Sequence, residues 1–305
     1  MLKDAKILVT GAGGTVATPF IRHLAPQNEV WGAARFSREG SKEQVEALGA
    51  KPVAIDLASG DLSDLPDDFT HVLHLAHFRG QPNDVHEAIR NNGEGTGHLL
   101  YHCRKAKAAL VMSSGAVYSA VEDPYDFPTE DSAIGSAFTP WAPTSGPSKV
   151  AQEAIARFCA SAFGLPVVIA RLNTVYDDVQ GVLPPINMDM IMRDMDVSVR
   201  WDPMPHHPLH FDDMCDQLEA MLDAASTPAS IVNWGGDEVV TVQEWCAMVG
   251  EWSGKNVKLV TQPTVGSTHT AGSDQTKRKS ITGPSKVVFR DAFRAIYDER
   301  YGAKT

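Results

Sequence analysis

The sequence predicts an α/β protein, a parallel sheet with helices on both faces and a smaller companion unit. Three observations carry that prediction. Short β-branched runs alternate with helical stretches through the first half of the chain, the first run breaks into a glycine-rich turn, and the alternation fades beyond Arg171. The first run, Ile7-Leu8-Val9, leads into Thr10-Gly11-Ala12-Gly13-Gly14-Thr15-Val16-Ala17. Glycine at such a turn permits positive φ and close approach of the backbone to a pyrophosphate. The helix that follows turns its free N–H groups and positive dipole end toward the phosphates. The spacing is Gly11-x-x-Gly14-x-x-Ala17 rather than G-x-G-x-x-G, and Ala17 is the small residue that lets the helix pack closely on the strand. Further strands are expected at residues 30–33, 53–55, 72–75, 110–112 and 167–170. Residues 85–107 and 149–163 read as two long helices, the second opening after Pro147 and closing before Gly164-Leu165-Pro166. Residues 119–147, rich in Pro, Asp, Ser and Thr, form a long excursion of the kind that carries function at the carboxyl end of a strand. Past Arg171, Met188, Met190, Met192, Met195 and Met204 crowd a stretch that includes Trp201, and composition shifts again after Val232-Asn233-Trp234-Gly235-Gly236.

With 305 residues, 43% of them apolar, the chain can bury a sizeable core. Its 27 Lys and Arg against 38 Asp and Glu give a net charge of −11, which argues against nonspecific binding to nucleic acid or anionic membranes. No run of about 18 apolar residues occurs and the first residues carry no basic and apolar leader, so a cytoplasmic location is expected. Cys103, Cys159, Cys215 and Cys246 are scattered without a C-x-x-C pair and are expected to be reduced, buried, small hydrophobes.

Further signatures follow in order. Asp56-Leu57 closes the third strand and His74-Leu75-Ala76 the fourth; Asn92 and Gly95-Thr96 lie in the first long helix; Ser113-Ser114-Gly115-Ala116-Val117-Tyr118 follows the fifth strand. Then come Ser148-Lys149, Arg171-x-x-Thr174-Val175-Tyr176, His210-Phe211-Asp212-Asp213 and Asn233-x-Gly235-Gly236. Over nearly the whole chain this ordered set resembles the extended short-chain dehydrogenase/reductase family, also called the NAD-dependent epimerase/dehydratases. The resemblance implies a doubly wound, Rossmann-type sheet with a dinucleotide at its carboxyl edge. It assigns residues 1–173, with 205–235 returning, to the dinucleotide domain, and 174–204 and 236–305 to a substrate domain. Cofactor contacts are implied for Gly11, Gly13, Gly14, Thr15 and Val16 in the turn, for Asp56, Leu57, Leu75, Ala76 and His77 at strand ends, and for Asn92, Ser113, Lys149, Leu172 and Thr174. Substrate contacts are implied for Ser114, Tyr176 and His207. A homodimer is implied too, residues 85–107 and 149–163 pairing with their mates in a four-helix bundle.

NAD enzymes of this type carry an acid at the end of the second strand for the ribose 2′-hydroxyl. Here the segment reads Val30-Trp31-Gly32-Ala33-Ala34-Arg35-Phe36-Ser37-Arg38, with Glu39 beyond both arginines. Arg35 is suited to a forked contact with a 2′-phosphate, with Ser37 or Arg38 as a second donor, so NADP is expected over NAD.

The family's catalytic set is a Ser or Thr after the fifth strand, a Tyr in Y-x-x-x-K, and the Lys. Ser114 and Lys149 match, but the motif reads Ser145-Gly146-Pro147-Ser148-Lys149, and Ser145 is a poor substitute for a phenol. Three readings stay open: a reductase or dehydrogenase whose proton comes from elsewhere, an epimerase, dehydratase or lyase that returns its hydride, and an NADP(H)-binding regulatory protein. Tyr118, Tyr125, Tyr176, His77, His86 and a water between Ser145 and Lys149 are the candidate proton donors. Because the stretch from Thr174 to Phe211 holds only Arg193 and Arg200, the expected substrate is a small or apolar carbonyl or alcohol rather than a sugar diphosphate, with the methionines and Trp201 read either as plain core or as an apolar lining. His206, His207 and His210 lack a carboxylate or Cys at motif spacing, so no metal is expected. Lys277-Arg278-Lys279 reads as a solvated basic run.

Overall fold

The computed structural model describes residues 2–135, 137–179 and 181–302. Its strands are β1 (Lys6–Thr10), β2 (Glu29–Ala34), β3 (Lys51–Ala54), β4 (His71–His74), β5 (Ala108–Ser114), β6 (Val167–Leu172), β7 (Val175–Tyr176), β8 (Val197–Val199), β9 (Pro205–His206), β10 (Leu209–His210), β11 (Ser230–Trp234), β12 (Val240–Thr241) and β13 (Leu259–Thr261). The helices are α1 (Ala17–Leu24), α2 (Ser41–Ala47), α3 (Val85–Ile89), α4 (Gly95–His102), α5 (Ser145–Phe163), α6 (Leu183–Met192), α7 (Phe211–Asp223), α8 (Val242–Ser253), α9 (Thr276–Thr282) and α10 (Phe289–Tyr301).

Seven strands form one parallel sheet in the order β11-β6-β5-β4-β1-β2-β3. Both faces are covered, which is why its strands read as continuous apolar runs: Ile7 and Val9 enter one core, Leu8 the other, and all three are fully buried. From β1 the chain steps outward to β2 and β3, then crosses to β4 on the other side of β1. That reversal opens a crevice at the carboxyl ends of β1 and β4, where open α/β sheets take their ligands. Helix α7 packs on α1, and β11 closes the sheet beside β6. A separate core joins Tyr176, Met188, Ile191, Trp245, Phe289 and Phe293 from the later elements.

Two helices differ from the sequence reading. The helix expected over residues 85–107 is interrupted by a π-helical turn at Arg90–Glu94. There the Asn92 amide ties itself to the backbone of Phe78 (2.7 and 2.9 Å) and to Ser148 Oγ (2.9 Å), and a Cβ on Gly95 would stand 3.0 Å from Leu57. Helix α5 begins at Ser145, four residues before the expected start. Pro147 is its third residue, within the first turn, where no N–H partner is required. The shift places Ser145 one turn ahead of Lys149 on the same helix face.

Candidate active site

Gly11 has φ +69°, and a Cβ there would stand 2.9 Å from Ala76 Cα, so the β1 turn nests against the end of β4. Thr10 Oγ1 accepts the N–H groups of Leu75 and Ala76 (3.1 and 3.2 Å) and bonds His74 Nδ1 (2.7 Å), while His74 Nε2 bonds Thr96 Oγ1 (2.7 Å). Burial holds the His74 pKa at about 3, so the ring is neutral. From Thr96 the chain of bonds continues through Gln152 Nε2 (3.2 Å), and Gln152 Oε1 accepts from Lys149 Nζ (2.8 Å). The glycine turn and Lys149 are thus joined through one buried polar network.

A cleft of about 1130 Å³ runs along this edge of the sheet. Gly13, Gly14, Thr15 and Val16 border it ahead of α1, so the free N–H groups of a helix start face a cavity large enough for a dinucleotide. Ala76, Leu75 and Gly11 keep the floor low. These features fit a nicotinamide dinucleotide. At the β2–β3 end, Arg35 is exposed, lies 5.8 Å from the Phe78 ring and has no carboxylate partner among the described residues, whereas Arg38 is committed to Gln44 Oε1 (2.7 Å). Ser37 lines the same end, as does Leu57; Asp56 accepts the Ala58 N–H (3.0 Å).

The chemical end is set by β5 and α5. Lys149 is buried, and its Nζ donates to Met112 O (2.6 Å) as well as to Gln152; burial lowers its pKa to about 7. Ser145 Oγ lies 3.2 Å from His77 Nε2. His77 is held down to about 2 by burial, then by the Lys149 and Arg79 cations. Ser114 Oγ caps the turn after β5 by accepting the Ala116 N–H (3.2 Å) and lines the cleft. Beneath it, Ser113 donates to Glu153 (2.5 Å), which also takes a forked contact from buried Arg171 (2.9 and 2.8 Å).

Of the cofactor, catalytic and substrate contacts expected from the sequence, all but Tyr176 and His207 line this cleft, Asn92, Leu172 and Thr174 among them; of the further candidate proton donors, Tyr125 and His86 are not among its lining residues. Tyr176 is 1% exposed, packs on His210 and Phe289, and has its phenol pKa raised by burial. Its neighbour Val175 faces the cleft instead. His207 packs its ring on Phe127 (4.6 Å), and its neighbour His206 faces the cleft, bonded to Thr174 Oγ1 (2.5 Å). In β7 successive residues point to opposite faces and the sequence does not say which parity is inward, while His207 follows the last residue of β9 and turns away from the face that His206 presents. Tyr118 borders the cleft, but its hydroxyl donates to Asn233 Oδ1 (2.6 Å) and burial raises its pKa, so it is not presented as a proton donor.

Asn173, Trp141 and Arg79, which no sequence motif marked, also line the cleft, as does Arg200, which with Arg193 was counted as too little for a sugar diphosphate. The guanidinium of Arg200 lies 4.5 Å from the exposed Trp141 ring, and burial lowers its pKa to about 10. Asn173 Nδ2, Arg200 Nε and His206 Nε2 are buried without a protein hydrogen-bond partner. The alternation Val197-x-Val199 was the signal for a short strand ending just before Arg200. The methionine-rich stretch is chiefly core: Met188 is fully buried and only Met204 of the group reaches the cleft, while Trp201 donates to Ser267 Oγ (3.1 Å). Lys277-Arg278-Lys279 is not a solvated run, because Arg278 is fully buried and ion-paired with Asp237. All four cysteines are buried free thiols. Among the described residues no His, Cys, Asp and Glu cluster suits a metal ion, and no helix is long and apolar enough to cross a membrane.

Residues 7–187 match the model of the NAD dependent epimerase/dehydratase family. No curated protein matches the chain. Among solved structures, UDP-glucuronic acid 4-epimerase from Bacillus cereus with UDP-glucuronic acid and NAD superposes with a TM-score of 0.81 at 23% identity, covering 96% of this chain and 98% of that one. WbmG from Bordetella bronchiseptica with NAD and UDP gives 0.80 at 23% identity, covering 98% and 96%. MoeE5 with UDP-glucose and NAD gives 0.80 at 22% identity, covering 97% and 98%. At these identities the likeness is one of fold.

Proposed function

Because the chain belongs to the NAD dependent epimerase/dehydratase family, we propose that it oxidises a hydroxyl of an anionic, sugar-nucleotide-like substrate and returns the hydride to the resulting ketone, with NADP preferred to NAD. The observation that carries the substrate class is Arg200. A part-buried guanidinium with no carboxylate partner among the described residues, and with a buried donor left unpaired, is costly, and a substrate phosphate or carboxylate offsets that cost. The UDP-sugars held by similar folds are of this class. A small or apolar carbonyl is the weaker reading, since the cleft gathers Arg79 and Arg200 from distant parts of the chain and the methionines mostly serve the core.

When bound, a nicotinamide nucleotide supplies the hydride acceptor and donor. Gly13, Gly14 and Thr15 would hold its pyrophosphate, Lys149 its nicotinamide ribose, and Arg35 a 2′-phosphate. Ser114 orients the reacting oxygen of the substrate. Arg35 supports NADP because it is exposed, lines the adenosine end and has no carboxylate partner among the described residues, with no acid from Val30 to Ala34 at the carboxyl end of β2.

The test is to incubate protein and dinucleotide with UDP-glucuronic acid or UDP-glucose and separate the products. Conversion to a C4 epimer without net nicotinamide reduction is expected, with UDP affinity falling about tenfold or more in Arg200→Ala. No saturable UDP-sugar binding would overturn the substrate class. Arg35→Ala is expected to weaken NADP binding and leave NAD binding nearly unchanged; tighter wild-type binding of NAD than of NADP would reject the Arg35 assignment.

A further inference from the structure

A hydroxyl that is oxidised must also lose a proton, and the group that takes it has to face the cleft near Lys149. Few ionisable side chains at the cleft qualify. Tyr118 is bonded to Asn233, His206 is enclosed beside Thr174, and Asp56 caps a turn after β3, at the adenosine end. Lys149 commits two of its three donors to Met112 and Gln152. His77 remains, three residues past β4 and half-buried, with Nε2 3.2 Å from Ser145 Oγ. Its Nδ1 has no protein partner among the described residues and is not among the enclosed polar atoms, so water reaches it. Ser145 stands one turn ahead of Lys149 on α5, and both line the cleft.

We propose that Ser145 and His77 form a proton relay between the substrate hydroxyl and solvent, doing in two links what a single phenol would do. This rests on the oxidation proposed above. Ser145 Oγ receives the substrate's proton as it passes its own to His77 Nε2, and the imidazole releases its other proton from Nδ1 to water. The reverse sequence returns a proton to the ketone oxygen. At the end of each pass the imidazole is neutral, having exchanged one tautomer for the other, so surroundings that disfavour the imidazolium do not block the relay. Serine is a competent proton carrier only with such a base against it.

The experiment uses the full chain at saturating NADP with UDP-glucuronic acid as probe. His77→Ala is expected to lower kcat at least about a hundredfold. Added imidazole is expected to restore part of the rate. Ser145→Tyr in the His77→Ala background, which puts a phenol four residues before Lys149, is expected to restore turnover without imidazole. Undiminished turnover in His77→Ala overturns the relay. So does a loss that neither imidazole nor Ser145→Tyr reverses, because His77 would then only be holding its loop in place. Wild-type protein that binds NADP yet converts neither UDP-sugars nor simple secondary alcohols overturns the proposed oxidation and the relay with it, whereas an active wild type with an equally active His77→Ala overturns the relay alone.

Discussion

Lys149 is an ammonium placed where burial disfavours charge, its pKa brought from the ordinary 10.5 to about 7. Between those values the unfolded chain binds the proton that the folded protein has given up, so stability rises with pH across that window and the destabilisation is fully present below pH 7. Denaturant midpoints of the cofactor-free protein are therefore expected to climb from pH 7 to pH 10, and Lys149→Met is expected to flatten the climb; an equal slope in both proteins would contradict this. Glu153 presents the opposite case. It answers Arg171 with both oxygens and Ser113 with one, all of them buried, so Glu153→Ala leaves a buried guanidinium without its counter-charge. The expected cost is about 3–5 kcal/mol in urea unfolding. At this scale the sequence was legible wherever a residue acts through its backbone or its spacing: Gly11, Ser114, Ser145 and Lys149, picked out by motif spacing, line one cleft. It was not legible where orientation decides the role, as between Val175 and Tyr176, between His206 and His207, and in the Tyr118 hydroxyl that finds Asn233, 115 residues away.

Helices α4 and α5 carry apolar surface that the fold itself does not cover. Phe158 is 65% exposed and Tyr101 55%, and both ring systems gather around Phe163, at 6.4 and 5.5 Å. Adjacent aromatic rings on two neighbouring helices are the material of a self-complementary contact, in which the same patch serves both partners. Sedimentation is expected to show a dimer, and Phe158→Glu to give a monomer with its dinucleotide affinity kept. A wild-type protein that stays monomeric at micromolar concentration would reject this face as an interface. The periodicity of the sequence disclosed these helices but not their boundaries. Pro147 suggested a later start for α5 because proline ends helical interiors, yet a first turn tolerates it. The break at Arg90–Glu94 depends on contacts from Asn92 to Phe78 and Ser148 that no local pattern records.

Charge is distributed unevenly over the whole molecule. The chain carries a net −11, yet Arg35, Arg38, Arg79, Lys149 and Arg200 line the cleft against Asp56, the one carboxylate among its described lining residues. A recess with low-dielectric walls focuses the field of the charges that line it, whereas the surface acids are spread out and screened over about 10 Å at 0.1 M salt. An anionic dinucleotide approaching the mouth is then guided by the local cations rather than repelled by the net charge. Stopped-flow association of NADP is expected to slow as ionic strength rises, and Arg79→Ala to weaken that dependence without removing the site. The opposite trend, faster association in higher salt, would mean that the −11 outweighs the cleft at encounter distance. Sequence alone could not decide between these fields, because the total was countable from the first residue to the last while the five cations come from different loops, strand ends and one helix that only the fold brings to one cleft.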